Sequence, residues 1–312
     1  MNEEKSGTFW PVREAATPDI TISVIDTNNC DVTLQCLRSV FANTHRASLE
    51  VFVVDNACTD GSAEAIAAAF AQVKQIHNVH RQGFSTNNNL AFSQASGRYL
   101  LMLNDDTLVQ EGALDRMVSF MDQHPDAGVV GARLLNPDGS HQPDCSYLPH
   151  PLYDAIEPLS LWLRPLHCDA QCATVIGRVC GACMMVRRTV ADKVGLLDTA
   201  FDPLYCEEVD WCYRIGQAGW QVYHLPDAQV VHFGGQTMNR APLYKLEMFY
   251  RKKALFFRKH FGARTAWTFK LGLLTATAVK LLTWALMYPF RRQRASARIA
   301  AHRHILGKVL SF

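Results

Sequence analysis

The chain has 312 residues, 48% hydrophobic and 19% charged, which excludes a disordered, fibrous or disulfide-stapled protein and leaves enough apolar material for a full core. Its formal net charge of +2 conceals two regions. Residues 1–240 carry 16 Lys/Arg against 28 Asp/Glu, whereas residues 241–312 carry 15 against the single acid Glu247, so the two parts meet different surroundings.

Residues 1–19 read as an extension without the basic, apolar and small-residue succession of a signal peptide, and ten scattered cysteines fit a reducing cytoplasm. Residues 20–25 are a β-branched strand, and Asp31 caps a helix running to about Phe41. "LEVFVVD" is a second strand ending at Asp55, followed by the turn "NACTDGS" and an alanine-rich helix over 63–72. A weak strand at 75–77, a helix over 86–96 and a strand at 99–103 continue the alternation. This rhythm predicts an α/β fold, a mostly parallel sheet flanked by helices, with ligands at the carboxyl ends of the strands. Residues 26–29, Asp55, and Asn104 with Asp105 and Asp106 then converge on one crevice. No G-x-G-x-x-G follows the first strand and no G-x-x-x-x-G-K-[ST] occurs, which removes the main support for dinucleotide and P-loop sites.

Residues two apart on a strand share a face, so Asn104 and Asp106 are expected to point one way and Asp105 another. A hard divalent cation, Mg or Mn, fits so sparse a ligand set when diphosphate and water supply the remaining oxygens. The competing reading is a turn in which Asn and Asp bond their own backbone. Cys168, Cys172, Cys180 and Cys183 are spaced loosely like a zinc site, but "VCGACMMV" reads better as buried free thiols. Between 137 and 176 six prolines break the pattern, and Tyr147, Tyr153 and Trp162 supply aromatic surface for a sugar face or for a plain insertion. "LYCEEVDWCYR" opens a helix with acids that complement its dipole, and Asp210 is spaced to pair with Arg214 on the helix surface.

The basic tail interleaves aromatics and cations at helical spacing. Only nine uncharged residues separate Lys270 from Lys280, too few to span a bilayer, and Lys270, Thr277 and Lys280 fall on one helical face. A helix lying in the membrane interface, with six further cations after Phe290 attracted to anionic lipid, is expected. A packed helical hairpin is the alternative; the adjoining apolar segment argues against nucleic acid as partner.

The blocks "SVIDTNNCDVTLQCLRSV", "VFVVDNACTDGS", "RQGFSTNNNLA", "YLLMLNDDTLVQEGAL", "GVVGARLLNPDGS", "CGACMMVRR" and "FDPLYCEEVDWCYRIGQAGWQVYHLPDAQVVHFGG", in this order over about 20–240, resemble bacterial family 2 inverting glycosyltransferases. Within that family they are most similar to the rhamnosyltransferase-like branch that builds surface polysaccharides such as O-antigen. The resemblance implies a GT-A type fold with a donor half over about 20–110, an acceptor half over about 111–240 and a membrane-associating tail over 241–312. It implies a nucleotide-diphosphate sugar donor, with L-rhamnose favoured by the branch, a lipid-linked or polysaccharide acceptor, and a location on the inner face of the cytoplasmic membrane. By the same resemblance, Thr27, Asn29, Asp55, Gly83, Asn88, Asn104 and Asp105 face the donor nucleotide, and Asp106 with His232 faces the metal. Glu208 is the base, Glu207, Asp210 and Trp211 meet the acceptor, and Gly181, Ala182 and Cys183 form a small-residue turn beside the donor sugar. The chain departs from the family pattern in carrying "NDD" for an acid-x-acid motif and Asn28 for an aromatic. Two rivals remain: a nucleotide-sugar nucleotidyltransferase, which would release pyrophosphate, and a non-catalytic glycan-binding relative.

Overall fold

The computed structural model describes residues 17–156, 171–234 and 241–312, so Trp162, Cys168 and most of the N-terminal extension lie outside the described residues. Its first half alternates β1 (Ile20–Asp26), α1 (Cys30–Ala42), β2 (Leu49–Asp55), α2 (Ser62–Ala69), β3 (Lys74–His77), α3 (Phe84–Phe92) and β4 (Tyr99–Asn104). The four strands run parallel in the order β3-β2-β1-β4, with Asp26 opposite Asp55 and Ile25 opposite Asn104. That register brings the three polar strand ends together, as the alternation predicts.

After β4 come β5 (Thr107–Val109), α4 (Ala113–Gln123), β6 (Ala127–Leu135), β7 (Cys145–Ser146), α5 (Pro151–Ile156), β8 (Thr174–Val175), β9 (Arg178–Val179), β10 (Cys183–Arg187), α6 (Arg188–Val194), α7 (Glu207–Gln217) and β11 (Gln221–His232). The sheet continues β4-β10-β6-β11-β5, with β10 antiparallel to both its neighbours and β11 parallel to β6. Period-two alternation feeds both faces. Leu101 and Leu103 pack with α1 and α4 residues such as Leu37 and Met117, while Leu100 and Met102 pack with Phe92 of α3 and Trp211 of α7.

One helix starts earlier than its sequence pattern suggests. The Asp202 carboxylate, far away in sequence, accepts the amides of Ser85 at 2.8 Å and Thr86 at 3.3 Å and so caps the first turn of α3. A Cβ on Gly83 would come 2.2 Å from the Asp202 carboxyl carbon, so glycine is needed there for this capping contact.

The tail forms α8 (Pro242–Met287), broken at Gly262 (φ 86°), and α9 (Arg292–Lys308), which folds back along it. By length and composition alone α8 is long and apolar enough to cross a membrane. The expected polar stripe, however, is turned inward. Lys270 and Thr277 are buried, with the Lys270 ammonium on the Phe312 carbonyl and 4.9 Å over the Trp267 ring. The outward face is apolar, with Trp267, Leu271, Val279, Leu282 and Leu286 about half exposed or more. Phe257, Phe269 and Leu273 of α8 pack in one cluster with Ile305 of α9 and Val309, and an apolar ridge is left on the outside.

Candidate active site

A cleft of about 780 Å³ opens at the carboxyl ends of β1 and β4, lined among others by Thr27, Asn29, Gly83, Asn88, Asn104, Asp105 and Asp106. Asp55 stands just outside this lining, with its Oδ1 accepting the Cys58 amide at 2.8 Å and its Oδ2 3.0 Å from the His77 ring. Burial alone would raise its pKa, but these hydrogen bonds hold it below the ordinary carboxylate value. Asn56 and Asn87, which the sequence pattern did not single out, also line the cleft; Asn78 donates to Asn87 at 2.6 Å and Asn56 donates to the Gln82 carbonyl at 3.1 Å.

The acidic motif is arranged differently from a strand. After Asn104 the chain turns at Asp105 and Asp106 and returns as β5, so strand alternation does not decide where these groups point. Asp105 is taken by Asn29, whose amide donates at 2.9 Å, while Asn104 and Asp106 nevertheless meet at His232. The His232 Nε2 is 3.2 Å from Asp106 Oδ1 and 3.3 Å from Asn104 Nδ2. Gln142 assigns the tautomer: its Nε2 donates to Asn136 Oδ1 at 3.0 Å, so its Oε1 faces His232 Nδ1 at 2.6 Å and accepts that proton. The ring is thereby fixed with Nε2 toward the Asp106 carboxylate, and the two atoms stand close enough to share one cation. Neighbouring ligands of an octahedral ion with bonds of about 2.1 Å lie about 3 Å apart, so Asp106 and His232 suit Mg or Mn.

The charge around this corner agrees. Burial pushes Asp105 up to about 7, and the nearby Asp106 and Asp26 add to the rise against the Asn29 hydrogen bond. The Oδ2 of buried Asp26 has no hydrogen-bond partner among the described residues. Three crowded carboxylates with a lone imidazole are a fitting environment for a divalent ion.

Opposite the strand ends, α7 opens with Glu207 and Glu208, and both line the cleft. Glu207 is buried with its Oε2 unpartnered, and burial together with the Glu208 charge pushes its pKa well above the ordinary range. Its unpartnered oxygen is free to hydrogen-bond a ligand in the cleft. Glu208 also lines a second cavity of about 640 Å³, together with Tyr147, Tyr153, Arg178, Tyr205, Phe249 and Lys253. The carboxylate thus stands on the wall that the two hollows share.

Two expected acceptor contacts are corrected. Asp210 is fully buried and accepts from Arg214 at 2.8 Å, Lys259 at 2.6 Å and His260 at 2.7 Å, so it fastens α7 to α8 instead of facing a sugar. Its pair with Arg214 forms as spaced, but in the interior. Trp211, one position on, is also fully buried and donates to the Gly195 carbonyl at 2.9 Å. Asp210 and Trp211 share Glu207's face of α7 but sit one turn further along, where Lys259 and His260 cover the first and core residues such as Phe92 and Met102 cover the second.

Gly181 and Ala182 do line the cleft, but a Cβ on Gly181 would meet only ordinary contacts with Glu208 and Met102, at 3.6 and 3.8 Å. The turn is held by Asp144, whose carbonyl accepts the Cys180 amide at 2.6 Å and whose Oδ2 accepts the Leu134 amide at 2.9 Å. His141 and His224 each bring Nε2 to 3.1 Å from that same oxygen. Cys180 and Cys183 are thiols: burial pushes Cys180 up to about 11 and Cys183 higher still. A further hollow by Asp19, Arg98 and Asp122 lies at the opposite ends of the strands, with Arg98 already paired to both acids.

Residues 22–195 match the sequence family described as "Glycosyl transferase family 2". An N-acetylglucosaminyl-diphospho-decaprenol L-rhamnosyltransferase of Mycobacterium tuberculosis (strain H37Rv) is 24% identical, over 72% of this chain and 81% of that protein. Rhamnosyltransferase WbbL of Escherichia coli (strain K12) is 25% identical, over 48% of this chain and 61% of that one. Among solved structures, mannosyltransferase PcManGT from Pyrobaculum calidifontis in complex with GDP-Man and Mn2+ has a TM-score of 0.58 at 17% identity, covering 93% of this chain and 87% of that one. GalNAc-T7 with UDP, GalNAc and Mn2+ has a TM-score of 0.57 at 15% identity, covering 78% and 50%. At such identities the structural likeness is one of fold.

Proposed function

Because this chain belongs to glycosyl transferase family 2, in its rhamnosyltransferase-like branch and with the GT-A fold, we propose that it transfers one sugar with inversion from a nucleotide-diphosphate donor to a glycan acceptor. The observation that carries this reading is Glu208, which lines both the donor cleft and the second cavity. An acceptor in that cavity presents a hydroxyl to the carboxylate. The hydroxyl oxygen bonds the anomeric carbon, the bond from that carbon to the diphosphate oxygen breaks on the opposite face, the acceptor proton passes to Glu208, and a nucleoside diphosphate leaves.

Asp106 and His232 would hold a Mg or Mn ion, which supplies positive charge to the departing diphosphate. Thr27, Asn29, Gly83, Asn88, Asn104 and Asp105 shape the nucleotide end of the cleft, with Asp55 behind it. Glu207, with one carboxyl oxygen unpartnered, is placed to hydrogen-bond a donor or acceptor hydroxyl, and Asn29 aims Asp105. The named relatives favour L-rhamnose as the sugar and a diphospho-lipid-linked sugar as the acceptor. The apolar ridge of α8 and the surrounding cations suit peripheral binding to the cytoplasmic face of an anionic membrane.

The test is nucleoside-diphosphate release by wild type and Glu208→Gln, over a panel of nucleotide sugars with Mn or Mg and lipid-linked glycan extract. We expect metal-dependent release with one donor, reduced about 10²–10⁴-fold by Glu208→Gln while donor binding persists. Pyrophosphate in place of nucleoside diphosphate would select the nucleotidyltransferase. Binding without any turnover would select the non-catalytic relative.

A further inference from the structure

We propose that the second cavity is built for an acceptor sugar that bears a diphosphate, and that Arg178 is the residue that reads the phosphate. This inference rests on the reading of Glu208 as the base, because it gives the adjoining cavity its occupant.

Arg178 lies on β9 and lines the cavity, with 29% of its side chain exposed. Its only charge partner among the described residues is Glu208, at 3.6 Å from Nη1 to Oε1, and its guanidinium donates no hydrogen bond to any of them. A guanidinium has five N–H donors in a planar fork shaped for carboxylate or phosphate oxygens, and a largely enclosed one that leaves them unused is poised for a ligand anion.

The other cation of the cavity is already committed. Lys253 is bonded to the Asp154 carboxylate, which also accepts the His150 amide at 2.7 Å, and its ammonium lies 5.6 Å from the Phe249 ring centre. Arg178 is therefore where the cavity has open capacity for negative charge. Around it are surfaces for the rest of such a molecule: the rings of Tyr205 and Phe249 pack edge to face at 6.1 Å, and Leu148, Val209 and Phe269 supply an apolar wall.

Geometry links the anion to the chemistry. An anomeric diphosphate and a ring hydroxyl occupy opposite edges of one pyranose. With Nη1 of Arg178 only 3.6 Å from Oε1 of Glu208, a phosphate held on the guanidinium brings its attached sugar within reach of that carboxylate. A neutral glycan end could fill the same volume but would leave the fork unused, so the site discriminates by charge and selects a sugar diphosphate over an unphosphorylated glycan.

The experiment uses the full chain and two readouts. In the first, farnesyl diphosphate binding is measured by calorimetry in EDTA, which strips the metal corner. We expect binding that Arg178→Gln weakens about 10–100-fold, that Arg178→Lys restores only in part, and that Asp106→Asn leaves unchanged. In the second, transfer is followed with farnesyl-diphosphate-linked N-acetylglucosamine and with octyl N-acetylglucosaminide as acceptors. Arg178→Gln should raise KM for the diphosphate acceptor by a similar factor and lower kcat/KM for that acceptor at least about tenfold more than for the octyl glycoside. Equal losses with both acceptors would make Arg178 a support for Glu208 and overturn the proposal, as would diphosphate binding indifferent to Arg178. Arg178-dependent diphosphate binding without any sugar transfer would uphold the site and sink the transferase reading instead.

Discussion

His232 shows how a residue far from the acidic motif completes it. Its Nε2 faces Asp106 because Gln142, anchored on Asn136, accepts a hydrogen bond from the other ring nitrogen. Gln142→Ala removes that orientation without touching the corner itself, and we expect Mn affinity, measured by titration, to fall about 10–100-fold with the fold intact. Asp105 carries a second expectation. Its folded pKa of about 7 lies above the ordinary value, so its contribution to stability is present below about pH 4 and lost as pH rises through 7. In EDTA, wild type should lose stability relative to Asp105→Asn between about pH 4 and 7, by on the order of 3 kcal/mol in denaturant melts, and saturating Mn should shrink the difference. A gap that stays constant with pH would show that Asp105 is not crowded as described.

Helix α3 owes its position to a contact that no local pattern encodes. Gly83 leaves room for the Asp202 carboxylate, which caps the helix carrying Asn87 and Asn88 to the cleft. Gly83→Ala must displace that carboxylate. We expect a loss of about 1–3 kcal/mol in thermal or denaturant unfolding, together with weaker donor binding. Gly181→Ala, where the added methyl meets only ordinary contacts, is the control and should unfold like wild type. Helix α7 divides its acids in the same spirit: Glu207 and Glu208 open on the cleft, while Asp210 gathers Arg214, Lys259 and His260 and joins the catalytic sheet to α8.

Across the whole molecule, the acidic and basic regions of the chain meet at that joint, and the cavity beside it is walled by both. The tail therefore contributes Phe249 and Lys253 to the second cavity as well as an outward apolar ridge. Leu282 and Leu286, 64% and 70% exposed on that ridge, are the residues to change. We expect the double substitution to glutamate to reduce sedimentation with anionic vesicles tenfold or more, while transfer to a water-soluble acceptor persists. Vesicle binding unaffected by the change would remove the ridge from membrane contact.

The alternating pattern of residues 20–103 was enough to place Thr27, Asp55 and Asn104 at neighbouring strand ends, because strand order and direction in such folds follow from local periodicity and short crossovers. The acid pair at the head of α7 was equally legible, since helix starts are written in nearby residues. Burial of Asp210 and Trp211, the inward turn of Lys270 and the open fork of Arg178 were not, because each depends on which distant surface packs against one face of an element. Gln142 and Asp202 lay beyond reach for the same reason: hydrogen bonds between residues about a hundred positions apart leave no trace in the periodicity of either segment.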